Sequence, residues 1–384
     1  MQAILYCCCG IDVHSEMIEA CILNGIDPPK KVREQFPNSP AGLRQFTEWL
    51  DKNDCYNVAM ESTGVYWKPI YEAIENREYN ESIYVVNAHH MRNVPGRKTD
   101  KKDAEWIATL FQHGLLQPSF VPPRVFRDLR EVARTYQKCI GEKSRYVNRT
   151  EKLLQAHGFK LSSVLSDIFS KTGIHILHVL AENGRITEEE ISLCIAGTVK
   201  HTPAEIHAAI SGTMNPYERR LLNFLLGKYE RAIEDLNALL DLMREIAEPY
   251  KSALAQIDSV PGFDEVAALL LLAEISDKPH ESFASPEQLC AWAGLTPRND
   301  ESAGKVKSSK ILKGNIYLKP ILCQSAHAAR KGSKSPYRDW YWSHVKRLGD
   351  GKTIIAIARK LLAAVFALLR DGTYFRPYTA VLQT

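Results

Sequence analysis

Residues 3–12 read Ala3-Ile4-Leu5-Tyr6-Cys7-Cys8-Cys9-Gly10-Ile11-Asp12, an apolar, β-compatible run that closes on a glycine and an aspartate. Residues 3–9 read as a first strand, and the order of the elements after it decides the fold. Residues 17–23 read as a second strand and residues 31–36 as a weaker third. Three strands joined by short connections suggest a meander. The pattern then changes. Ser39-Pro40 reads as an N-cap followed by proline at the first helical position, opening a helix to about Lys52. A strand over 56–62, a helix over 65–76, a strand over 82–88 and a helix over 101–113 complete the region. Helix-linked strands suggest parallel crossovers, so the expected domain is α/β with a mixed sheet.

Beyond residue 123 the chain reads as helical. Residues 124–157 form one long helix with an apolar stripe of Leu129, Ala133, Tyr136, Ile140 and Val147. Arg127, Arg130, Arg134, Lys138, Arg145, Arg149 and Lys152 recur along it at mostly three- and four-residue steps, which gathers most of them on one broad face, and the first six read as nucleic-acid contacts. Residues 160–216 carry short helical patterns broken by glycine and proline. From Leu222 through Leu225, Tyr229, Ala232, Leu236, Leu239 and Met243 to Ile246, apolar residues step by threes and fours, a heptad seam ended by Pro249. Such a seam serves an intramolecular hairpin or a contact between two copies equally well. The last part reads as a turn and helix over 257–274 and further helices over 286–293, 315–330 and 352–369, with an irregular basic stretch over 296–313. The expected domains are 1–123, 124–251 and 252–384.

The chain has 384 residues, 45% hydrophobic and 24% charged, enough apolar material for globular cores. A net charge of +4 does not identify a partner; the clustering of the basic residues carries the information. None of the nine cysteines forms a CxxC pair, so neither zinc nor a disulfide framework is expected, and reduced cysteines point to the cytoplasm. No basic segment precedes a long apolar core at the N-terminus, so no signal peptide is read. The longest apolar run, Val266 to Ala273, is too short to span a bilayer.

Four carboxylates could carry chemistry. Asp12 closes strand one, Glu61 closes strand four in Met60-Glu61-Ser62-Thr63-Gly64, and Asp100 and Asp103 open the next helix. Each alone fits a plain role, as a turn residue, a solvated strand-end acid or helix N-terminal acids. Together, if strands one and four are neighbours, they gather at one end of a sheet. Such a cluster repels itself unless cations occupy it, and carboxylate oxygens suit Mg²⁺. Arg97, Lys98, Lys101 and Lys102 beside the last two acids read as phosphate contacts. Downstream, Ser302 sits in a small-residue turn followed by Lys305, Lys307, Lys310 and Lys313, which also read as nucleic-acid contacts. A serine hydroxyl needs a base or metal to become a nucleophile, and its loop offers no base. Residues 259–263 look like a helix-hairpin-helix turn, but Asp264 replaces the usual second glycine and would repel a phosphate.

Gly10-Ile11-Asp12-Val13-His14, Glu61-Ser62-Thr63-Gly64 and Lys98-Thr99-Asp100-Lys101-Lys102-Asp103-Ala104 resemble the three blocks of the DEDD insertion-sequence transposases, the "one-ten" family, whose relatives include pilin gene invertases and bridge-RNA-guided recombinases. Ser259-Val260-Pro261-Gly262, Gly294-Leu295-Thr296-Pro297, Ser302-Ala303-Gly304-Lys305 and Lys313-Gly314-Asn315-Ile316-Tyr317-Leu318 agree in order. The resemblance implies a RuvC-like, ribonuclease-H-type N-terminal domain, a helical, coiled-coil connector and a mainly helical C-terminal transposase domain. It implies Asp12, Glu61, Asp100 and Asp103 as ligands of two Mg²⁺ ions, with Mn²⁺ as the alternative, and Ser302 as a nucleophile toward DNA. Ala303 stands where the family often has a second glycine. The resemblance further implies element-end and target DNA as substrates, a non-coding guide RNA, a homodimer or homotetramer, and a nucleoid-associated place in a bacterial or archaeal cytoplasm. Two other readings share the same residues: a junction-resolvase-like nuclease using water, and a catalytically inert nucleic-acid-binding protein.

Overall fold

The computed structural model describes residues 3–87, 103–297, 300–302, 305–308, 311, 313–333 and 335–376. The chain groups into two compact units, Met1–Val121 and Pro122–Thr384.

The first unit is built on a five-stranded sheet in the order β3-β2-β1-β4-β5. The strands are β1 (Cys7–Val13), β2 (Met17–Asn24), β3 (Lys30–Pro37), β4 (Asn57–Glu61) and β5 (Ser82–Val86). The first three pair antiparallel, whereas β4 lies parallel to both β1 and β5. Helices α1 (Pro40–Lys52) and α2 (Trp67–Glu75) form the crossovers that parallel pairing requires. The Ser39 hydroxyl caps α1 by accepting from the Gly42 amide, with Pro40 at its start. The first strand departs furthest from the sequence reading. The first strand begins at Cys7, because Ile4 and Tyr6 are exposed and the Ile4 amide donates to the Gln112 carbonyl instead of joining the sheet. Asp12 therefore lies inside the strand.

Strand alternation splits β1 between two cores. Cys9, Ile11 and Val13 point into a layer with Phe36, Phe46, Leu50, Ile70 and Ile74. Cys8 faces the opposite layer, where Ala104, Ile107, Ala108 and Phe111 of α3 (Asp103–Gln112) pack on Cys21, Leu23, Ala59 and Val86. Burying each large side chain contributes about 1.5–3 kcal/mol, so both faces hold the sheet.

The second unit opens with α4 (Arg124–Ala156). Helices α5 (Lys171–Asn183), α6 (Glu188–Cys194) and α7 (Pro203–Ile210) come next, and then α8 (Pro216–Ala247). Helices α4 and α8 run antiparallel: the Phe126 and Tyr250 rings lie 4.6 Å apart at one end, and His157 Nδ1 is 2.9 Å from Glu218 Oε1 at the other. The heptad seam faces this intramolecular partner, with Leu222, Leu225, Ala232, Leu236 and Met243 all buried. Residues 160–216 are ordered by two Thr-Glu capping boxes, Thr187 with Glu190 and Thr202 with Glu205, and Asn215 with Glu218 starts α8 the same way. Downstream come α9 (Lys251–Asp258), α10 (Glu265–Ile275), α11 (Pro286–Trp292), α12 (Leu318–Ala329), α13 (Pro336–Leu348) and α14 (Asp350–Asp371), the last packed against α9, α11, α12 and α13. The stretch read as irregular contains an antiparallel pair, β6 (Asp300–Ser302) and β7 (Lys305–Ser308), and α13 was not foreseen.

Candidate functional site

The register of β1 on β4 ends at Ile11 opposite Met60, so the next residue on each strand is a carboxylate, Asp12 and Glu61. Alternation puts both on the face that α3 covers. Gly10, two residues before Asp12, shows how closely: a Cβ there would sit 2.2 Å from the Ala104 carbonyl oxygen and 2.3 Å from the Ala108 nitrogen. The helix backbone rests on the strand, with Asp103 at the helix start. Further contacts hold α3 in place. Lys31 Nζ lies 2.8 Å from Glu105, Arg33 bonds the same carboxylate, and the Gln112 amide donates to the Gly25 carbonyl at 2.9 Å.

The electrostatics arise from this crowding. Burial raises the Asp12 pKa, opposed by His14, and the charges of Asp103 and Glu19 raise it further. Glu19 is the cross-strand partner of Asp12 on β2, and His14 Nε2 lies 3.1 Å from an Asp12 oxygen. The sequence reading passed over His14 and Glu19. The strand period of two places His14 on the Asp12 face, and the meander register supplies Glu19. Among the described residues, no group of three His, Cys, Asp or Glu side chains is arranged to hold a metal unaided. Asp100, the fourth expected ligand, lies outside the described residues. Asp12, Glu61 and Asp103 are oxygen donors, the ligand type a hard divalent cation takes.

Ser302 is the last residue of β6 and pairs with Lys305, the first of β7. A bridge between Pro297 and Ile311 closes the stem of this pair. Gly314 lies so close to Gly294 that a Cβ would meet its nitrogen at 2.2 Å.

Residues 9–158 match a DEDD transposase family model, and residues 254–342 match the model of the transposase IS116/IS110/IS902 family. Together they cover more than half of the chain. The chain belongs to the IS116/IS110/IS902 transposase family. Its relatives include the pilin gene-inverting protein of Moraxella lacunata, 22% identical over 95% of this chain and 96% of that protein. An insertion element IS116 protein of 44.8 kDa from Streptomyces clavuligerus is 24% identical over 79% of this chain and 82% of its own length. A 43.6 kDa insertion element IS110 protein from Streptomyces coelicolor is 29% identical over 43% of this chain, which spans 39% of that relative.

Membership makes this protein a transposase, an enzyme class whose substrate is DNA, and qualifies the basic residues. Two of them are paired inside the second unit. Arg134 forms a two-pronged pair with the Glu274 carboxylate at 2.8 and 3.0 Å, its guanidinium 4.3 Å from the Tyr317 ring centre. Arg130 donates to the Ala273 and Glu274 carbonyls at 3.2 and 2.6 Å and lies 3.4 Å from a Glu274 carboxylate oxygen. Glu274 is fully buried and also accepts from Asn315 at 2.6 Å. A buried carboxylate needs these partners, so Arg130 and Arg134 serve it as internal counter-charges. Arg127 is half-buried, donating to the Pro122 carbonyl at 3.1 Å. Lys138, Arg145, Arg149 and Lys313 are exposed. Arg97, Lys98, Lys101, Lys102 and Lys310 lie outside the described residues, as do the side chains of Ser302, Lys305 and Lys307. The 259–263 turn of the transposase is internal. A Cβ on Gly262 would meet the Ser325 carbonyl oxygen at 2.2 Å, and Asp264 caps α10 by accepting from Ala267. Among the described residues no helix is long and apolar enough to cross a membrane.

Proposed function

We propose that this transposase cuts and rejoins DNA strands at a site built on Asp12, Glu61, Asp100 and Asp103, with Ser302 as the nucleophile. The observation that supports it most is the β1–β4 register, which brings Asp12 and Glu61 to adjacent strand positions under the helix that Asp103 begins. The carboxylates would hold two Mg²⁺ ions, with Mn²⁺ as a substitute. When bound, the ions would supply charge stabilisation to a phosphate under attack. The Ser302 oxygen bonds to phosphorus while a phosphorus–deoxyribose oxygen bond breaks, and the serine proton ends on the departing hydroxyl. A hydroxyl of a second strand then displaces serine from the phosphoserine ester and returns its proton. Each step exchanges one phosphate ester for another, so no external energy source is required. A relative named for inverting a gene fits a reaction that reseals every strand it opens. A non-coding guide RNA and assembly into a homodimer or homotetramer complete the proposal.

The test is a denaturing gel of protein incubated with element-end DNA and Mg²⁺. Wild type gives a covalent protein–DNA adduct; Ser302→Ala gives neither adduct nor recombinant product. Cutting by Ser302→Ala that disappears in Asp12→Asn would replace the proposal with a water-using nuclease. Activity unchanged in Asp12→Asn and Glu61→Gln would replace it with a binding protein.

A further inference from the structure

We propose that the outer face of α13 is a stacking platform for unpaired DNA bases, centred on Trp342, a site that rests on the DNA-handling function proposed above. Trp342 is 63% exposed on a folded surface. Arg338 and Lys346, both exposed, stand four residues before and after it, one turn along the same face. The indole is held in place rather than loosely displayed. The buried Tyr341 ring meets it edge-on, with centres 5.1 Å apart and planes at 82°. Tyr341 in turn donates its hydroxyl to Asp350 at 2.7 Å and lies under the Arg330 guanidinium, 4.7 Å from the ring centre. Arg330 and Asp350 pair at 2.9 Å, so this support is charge-satisfied. Beside it, Trp340 stacks on His344 at 4.0 Å and carries the Lys360 ammonium 5.1 Å from its ring.

Charge selects the occupant. The exposed charges on α13 are Arg338, Lys346 and Arg347 against Asp339. An apolar protein partner would need apolar neighbours around the tryptophan, whereas cations above and below it suit a polyanion. Among polyanions, a base in an intact duplex has both faces covered by its neighbours. Only an unpaired base offers a π face to an indole, and strand exchange creates such bases.

Full-length protein is titrated into a labelled oligothymidylate and, separately, a labelled duplex, with anisotropy as readout. Trp342→Ala is expected to weaken single-strand binding about 5- to 150-fold, the range for losing one base–aromatic stack, and to change duplex binding less than twofold. Trp342→Phe recovers most of the loss. Unchanged single-strand binding in Trp342→Ala, or equal losses on both DNAs, would overturn the site. A change in particle mass by light scattering would reassign the face to contact between copies. A larger tryptophan-dependent loss on an RNA of matching sequence would reassign it to RNA. Wild type that binds neither DNA would instead sink the DNA-handling function itself, and the platform with it.

Discussion

A single hydrogen in place of a methyl group at Gly10 lets α3 reach β1. Gly10→Ala forces a Cβ into the backbone at Ala104 and Ala108, where no flexible side chain can yield. The expected cost is about 1–3 kcal/mol, read as a lower urea midpoint with an unchanged slope. Asp12 gives a second expectation. Because folding raises its pKa, the native chain holds that proton more readily than the unfolded chain. Its ionised form therefore weakens the fold at neutral pH, and acidification through the native pKa removes the penalty. In EDTA, Asp12→Asn should melt no lower than wild type. Mg²⁺ should raise the melting temperature of wild type and leave the variant unmoved; equal shifts in both would disprove cation binding at Asp12. At this scale the sequence was informative where chemistry repeats a local rule. Asp12 and Glu61 were read from their places at strand ends, whereas His14 was passed over although a period of two puts it on the Asp12 face. The close packing at Gly10 was not legible, because nothing local says which backbone will cross a glycine.

Elements were legible in proportion to their periodicity. The four crossover and meander connections implied a mixed sheet, and the heptad from Leu222 to Ile246 implied a long helix with a partner, which is α4. Helix α13 escaped because its buried residues are just Tyr337 and Tyr341, too few to draw an apolar stripe. The β6–β7 pair escaped because its polar residues show no alternation, and backbone pairing alone defines it. The least visible contact joins elements far apart in sequence: Glu274 on α10 meets Arg134 on α4 across 140 residues. Inside an apolar helix, a lone glutamate names no partner. Glu274→Ala leaves two guanidinium groups without their carboxylate, and urea denaturation should register a loss of about 3–5 kcal/mol. Glu274→Gln, which keeps one oxygen acceptor and the side-chain shape, should lose less.

Across the whole molecule, the two family-matched segments lie at 9–158 and 254–342, while the stretch between them is ordered by its own caps and core. A net charge of +4 spread over 384 residues makes the placement of each cation matter more than their number. Removing an exposed Lys138, Arg145 or Arg149 that touches duplex phosphate should flatten a plot of log affinity against log salt by about 0.9 per residue. A slope that does not move would place that residue off the DNA. Arg130 and Arg134 stand outside this arithmetic. Binding gains entropy when small ions leave the duplex for bulk solvent, and a protein cation takes part only if it is free to replace one of them. These two arginines already have a companion in Glu274, so replacing either is expected to leave the salt slope where it was.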